Sequence, residues 1–201
     1  LNMNHKLGAA AGVIEFDNRN TIFTPTKGLY FKGVLAGYQG KAETTVPQLD
    51  SDYSFLNLRS KAFYYTPLSS KAVLGLRAEY QVVDGDAPFY MYPSVQIRGI
   101  QNQQYQGQEA IVTEAELRYE VIHRHSAIAF IGTGKAYGGG DGEGFGNTDT
   151  LISAPLHTAY GLGYRYEIAR KFGIHAGFDY AFGAVENAFY ITMGSAWNAF
   201  Y

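Results

Sequence analysis

The chain has 201 residues, a formal net charge of −2 and no cysteine. That charge provides no basic field for nucleic acid, and the missing thiols exclude disulfides, thiol catalysis and cysteine-held zinc. Only 17% of residues are charged while glycine numbers 24 and tyrosine 17, a mixture that disfavours helices and favours strands.

No apolar run approaches the roughly 18 residues of a membrane helix. Short segments of period two recur instead, separated by Gly, Pro, Asn and Asp. The first are the less regular 7–17 and 28–39. Segment 54–66 then sets Leu56, Leu58, Ala62 and Tyr64 against Asn57, Arg59 and Lys61. In 72–82, Leu74, Leu76 and Ala78 oppose Arg77, Glu79 and Gln81. In 110–121, Ile111, Ala115, Leu117, Tyr119 and Val121 oppose Glu114, Glu116, Arg118 and Glu120. After the weaker 126–137, segment 157–168 opposes Tyr160, Leu162 and Tyr164 to Gly161, Gly163 and Arg165. The clearest is 172–183, where Phe172, Ile174, Phe178, Tyr180 and Phe182 face away from His175, Gly177 and Asp179. The last, 188–201, carries Phe189, Ile191, Met193 and Trp197 on one face.

These nine segments predict an all-β protein. At about 11–14 residues each they exceed the usual globular strand and suit a tilted crossing of hydrocarbon. Connections alternate between short (67–71, 122–125, 169–171) and long (40–52, 85–108, 139–156), the pattern of a transmembrane antiparallel barrel. A soluble sandwich or lipocalin-like barrel shares the alternation but turns its apolar face inward. Aromatics near the segment ends, among them Tyr30, Tyr65, Tyr119, Tyr137, Phe172 and Trp197, favour interfacial girdles and hence the membrane. Nine is an awkward count for a bacterial barrel. Either 1–17 does not span and eight strands remain, or the barrel takes further strands from upstream or from an oligomer, because a bare edge is intolerable in lipid.

Three motifs carry a family resemblance. They are "FDNRNTIFTPTKGLYFKG" at 16–33, "IRGI" at 97–100, and the run from "AYGLGYRYEIARKFGIHAGFDYAFG" to "AFYITMGSAW". In order and spacing they resemble the BamA/TamA family of outer-membrane barrels, the bacterial surface antigen family, over about residues 7–197. The resemblance implies the C-terminal portion of a barrel of up to about 16 strands in the bacterial outer membrane. It also implies that the loop carrying Ile97, Arg98, Gly99 and Ile100 folds into the lumen, where Arg98 meets the wall glutamate matched by Glu116. Where that family carries a second lumen acid, in F-x-D-x-G, this chain has Gly132, so either Glu114 or Glu120 substitutes or the loop is held more loosely. Asp17, Arg19, Pro25 and Gly28 match a periplasmic turn, and Tyr190, Gly194, Trp197 and Tyr201 a terminal strand that forms the barrel seam.

Residues 1–201 therefore read as one barrel domain without the periplasmic POTRA repeats of that family. The implied role is insertion or translocation of outer-membrane proteins, with the bilayer, client proteins or a partner subunit as partners. A passive pore, or a membrane anchor or translocation unit for a partner, is the alternative. No enzyme, cofactor or metal is expected. His123 and His125 lack a third ligand, "GTGKAYGGGDGEGFG" lacks the full G-x-x-x-x-G-K-[ST] phosphate-loop pattern and its helix, and Asp141, Glu143 and Asp149 suit a solvated loop. The facing rule predicts that arginine is tolerated better at inward Gly163 than at outward Leu162, provided it does not clash.

Overall fold

A computed structural model describes residues 3–44, 51–138 and 149–197. Nine antiparallel strands form one sheet in sequence order. They are β1 (Met3–Asp17), β2 (Gly28–Thr44), β3 (Ser51–Pro67), β4 (Ala72–Asp86), β5 (Glu109–Ile122), β6 (His125–Tyr137), β7 (His157–Ala169), β8 (Ile174–Phe182) and β9 (Asn187–Met193). β1 pairs with β2 over its full length, so the first segment is a strand and the count is nine rather than eight. Among the described residues β1 and β9 do not pair, and the sheet remains open.

The two faces settle the choice between a soluble and a membrane barrel. Leu35, Leu162 and Ile191 on the outer face are 53%, 64% and 85% exposed, whereas Glu114, Arg165 and Asp179 on the inner face are buried. A soluble barrel inverts this arrangement, and so extensive an exposed apolar surface requires hydrocarbon. The interior is packed. Val95, Ile97 and Ile100 of the β4–β5 loop lie on Ala110, Val112, Ala136 and Ala159 of the wall.

Several aromatics expected at the interfaces belong to this interior instead. Tyr30, Tyr65 and Trp197 are buried inside, while Tyr119 and Phe172 are exposed as a girdle requires. The reason is parity: Tyr30 and Tyr65 fall on the inward-pointing set of their strands, whereas Tyr137 shares the outward parity of Ile131 and is covered at the strand end beside Glu109 and Tyr80. The terminal strand also ends earlier than the periodicity suggests, at Met193 rather than running to 201. Turns at the β1–β2, β3–β4, β5–β6 and β7–β8 ends share one side, and the β8–β9 turn breaks the long-loop pattern opposite, closing through Gly183 N–H to the Glu186 carbonyl at 3.0 Å.

Candidate functional site

The loop joining β4 to β5 turns back into the hollow as a small hairpin. Val95 N–H donates to the Tyr105 carbonyl at 3.0 Å and Gly107 N–H to that of Pro93 at 3.2 Å. Its tip is the turn Ile97–Ile100, closed by Ile100 N–H on the Ile97 carbonyl at 3.2 Å. Burial of apolar side chains such as Val95 and Ile97 contributes about 1.5–3 kcal/mol each and seats the tip against the wall.

Two glycines make that seating possible. Gly99 has φ 92°, and a Cβ there would lie 3.1 Å from Ala159 Cβ and 3.2 Å from Ala181 Cβ, so both conformation and space require glycine. At Gly132, on β6, a Cβ would stand 3.0 Å from Glu114 Cγ and 3.3 Å from Ile97 Cβ. The missing acid of the resemblance is thus the space that the loop tip occupies.

Arg98 then meets three carboxylates. Its Nε donates to Glu114 Oε1 at 2.8 Å and its Nη1 to Asp179 Oδ2 at 2.9 Å. Nη2 lies 2.7 Å from Glu114 Oε1 and 2.8 Å from Glu116 Oε2. These last two contacts are ionic and lack the alignment of hydrogen bonds. The Phe130 ring lies 3.6 Å from the guanidinium carbon. Burial opposes the Arg98 charge, but Glu116, Glu114 and Asp179 outweigh it and hold its pKa above the ordinary value.

The acids are themselves shared. Arg165 forks over Asp179 at 2.6 and 2.8 Å, and Arg77 Nη1 donates to Glu114 Oε2 at 2.8 Å. Strand register explains the convergence: Arg77 stands opposite Glu114, and Glu114 opposite Gly132. Carboxylates this buried are tolerable only when paired and hydrogen-bonded. The network therefore locks β4, β5, β7, β8 and the loop tip into one unit.

Glu114 and Glu116 reach Arg98, but Glu120 does not. Glu120 lies at the short-turn end of β5 with its side chain 40% exposed, 3.8 Å from His123 Nδ1, too far along the strand to meet the loop. The third acid comes from Asp179, which the alternation of 172–183 placed on the polar face without naming its partner. Gly163 is inward-facing as expected, yet a Cβ there would meet Asp179 Oδ1 at 2.0 Å, so the tolerance expected for arginine is absent.

The motif of the β1–β2 turn also folds inward. Asp17 binds Arg19 through Nε at 2.9 Å and Nη2 at 2.7 Å, and Asn20 Oδ1 accepts Thr26 N–H at 3.0 Å and Lys27 N–H at 3.2 Å. Pro25 is buried, its carbonyl accepting Arg118 Nη2 at 2.9 Å, and Gly28 begins β2. On the other side of the lumen floor the chain bends at Gly194, whose N–H donates to the His175 carbonyl at 2.7 Å. Trp197 consequently leaves the lipid face of Phe189, Ile191 and Met193 and packs inside, its ring centroid 6.0 Å from that of Phe63 and 5.8 Å from that of Tyr65. Tyr190 stays on β9 and its hydroxyl accepts Gly99 N–H at 3.0 Å, joining the terminal strand to the loop motif. Tyr201, Asp141 and Glu143 lie outside the described residues.

A sequence model of the Omp85 superfamily domain matches residues 9–197. The chain belongs to the Omp85 superfamily. No match to a curated protein was found. Membership places the chain in a family of the bacterial outer membrane, in agreement with the lipid-facing exterior. In the arginine cluster of this Omp85 chain each cation is held by carboxylates, and together they pin the loop inside the barrel.

Proposed function

We propose that this chain supplies the C-terminal part of an outer-membrane barrel that inserts or translocates proteins, with β9 as the edge that templates a client strand. The reading is carried by the state of that edge. β9 is seven residues long beside thirteen in β7, and it hands over at Gly194 to a segment that turns into the lumen. A seam on so short a strand has few backbone hydrogen bonds to give up, and an incoming strand can replace them. The docked loop supports lateral transfer at the seam, because it occupies the lumen that a passive route needs.

A passive-pore or anchoring role is the second reading. It is favoured by a cavity of about 590 Å³ beside the loop, lined by Lys32, Arg59, Lys61, Glu79 and Trp197. A photo-crosslinker at Ile191 and another at Leu162, both on the outer face, separate the two. A templating seam captures an unfolded barrel client from Ile191 and not from Leu162. Equal or absent capture, together with steady conductance in a planar bilayer, contradicts the insertion role.

A further inference from the structure

The short-turn end of the barrel repeats one chemical pairing that neither the loop cluster nor the seam uses. The β1–β2 turn exposes Lys27 next to outward-facing Leu29, and the β3–β4 turn exposes Lys71 with Leu68. The β7–β8 turn exposes Arg170 and Lys171 with Phe172, and at the β5–β6 turn Ile122 is 65% exposed beside Arg124. Arg124 is committed to the turn itself, donating to the Glu167 and Ile168 carbonyls, so Lys27, Lys71, Arg170 and Lys171 are the exposed cations. The acids at this end are Asp17, which Arg19 neutralises, Glu15, which accepts the Tyr30 hydroxyl, and Glu120 and Glu167. At the opposite end the balance among the described residues reverses, with Asp52, Asp84, Asp86, Glu109, Asp149 and Glu186 set against Lys6, Lys41 and Lys135.

We propose that the short-turn end is a docking belt for anionic phospholipid headgroups, in which Lys27, Lys71, Arg170 and Lys171 contact phosphate while the neighbouring apolar side chains enter the acyl boundary. A cation on a long stem beside an exposed hydrophobe spans the step from hydrocarbon to headgroup. The sign of the charge selects anionic lipid over zwitterionic lipid, and each basic residue adds to that attraction near the surface. An acidic protein partner would account for the cations alone. It leaves Leu29, Leu68, Ile122 and Phe172 unexplained at the rim of a membrane-embedded surface. The proposal rests on the outer-membrane location of the family and is independent of the insertion role.

The test uses the native protein reconstituted into phosphatidylcholine vesicles containing trace spin-labelled phosphatidylglycerol or spin-labelled phosphatidylcholine. Electron spin resonance then reads the motionally restricted fraction of each label. Wild type is expected to restrict phosphatidylglycerol at least about twofold more than phosphatidylcholine. The preference should shrink in 0.5 M NaCl, where the Debye length falls to roughly 4 Å. The variant Lys27→Gln/Lys71→Gln/Arg170→Gln/Lys171→Gln is expected to bring the two lipids to parity. Its heat-modifiable gel mobility should match wild type, since the four side chains lie in exposed turns. Equal restriction of both lipids by wild type overturns the belt. So does a preference that survives the fourfold variant, which places the attraction elsewhere. Parity in wild type together with an acidic protein that co-purifies with wild type and not with the variant reassigns the surface to a protein partner and also overturns it.

Discussion

Replacing Arg98 with alanine strips the three carboxylates unequally. Glu114 keeps Arg77 and Asp179 keeps Arg165, so Glu116 is the acid that loses its ion-pair partner among the described residues. Breaking a buried pair costs about 3–5 kcal/mol. With two of three acids still neutralised, the lower end applies, about 3 kcal/mol, and the lost Phe130 contact adds about 0.5–1 kcal/mol. The docked state of the loop should therefore weaken by roughly two to three orders of magnitude. Hydrogen exchange reads this directly at Gly99, whose N–H donates to the Tyr190 hydroxyl of β9 and loses that partner when the tip undocks. Exchange at this amide should accelerate by that factor while β7 and β8 amides change little. Adding Glu116→Gln to Arg98→Ala should recover at least about tenfold of the loss by removing the stranded charge. Unchanged exchange in Arg98→Ala, or no recovery in the double variant, refutes the assignment of Glu116 as the dependent partner.

The other expectations follow from the faces and the packing. Leu162→Arg should destabilise the lipid-inserted barrel by about 2–4 kcal/mol in urea unfolding, whereas Gln81→Arg, on the cavity wall, should cost less than about 1 kcal/mol; equal costs contradict the face assignment. Brominated acyl chains should leave the fluorescence of Trp197, the chain's one tryptophan, largely intact, and should quench the single tryptophan of Trp197→Phe/Ile191→Trp strongly. Strong quenching of wild type places Trp197 on the lipid face after all. Gly132→Asp, which restores an acid expected from the family pattern, should loosen the loop rather than tighten it, since the new side chain collides with Glu114 and Ile97; slower proteolysis of 85–108 counts against this.

Most of the architecture was legible because it rests on a local rule. Period-two alternation fixes which side chains share a face, and it located eight of the nine strands to within about five residues at either end, while the ninth stops at Met193, well short of 201. Arg98 and its glutamates were legible through the motif, and Glu116 and Glu114 follow from parity on one strand. Asp179 was on the correct face, but its meeting with Arg98 depends on register carried across β5, β6, β7 and β8, which no local pattern encodes. The available clue was Gly132: with no acid on β6, the lumen acid of β8 becomes the nearest candidate. Glu120 failed for the converse reason, since parity names a face and not a height along it. Trp197 failed because the alternation of 188–193 was extended through Gly194, where the backbone bends inward at φ 83°.

The central claim is that the loop tip lies inside the barrel against β6. Ile97, at the centre of that contact, is 5% exposed and packs in one cluster with Val95, Val112 and Ala159. Because the chain has no cysteine, Ile97→Cys carries a single reporting thiol. In native membranes that thiol should resist a water-soluble maleimide and react only after heat unfolding. Rapid labelling of the native variant places the loop outside the lumen and contradicts the account.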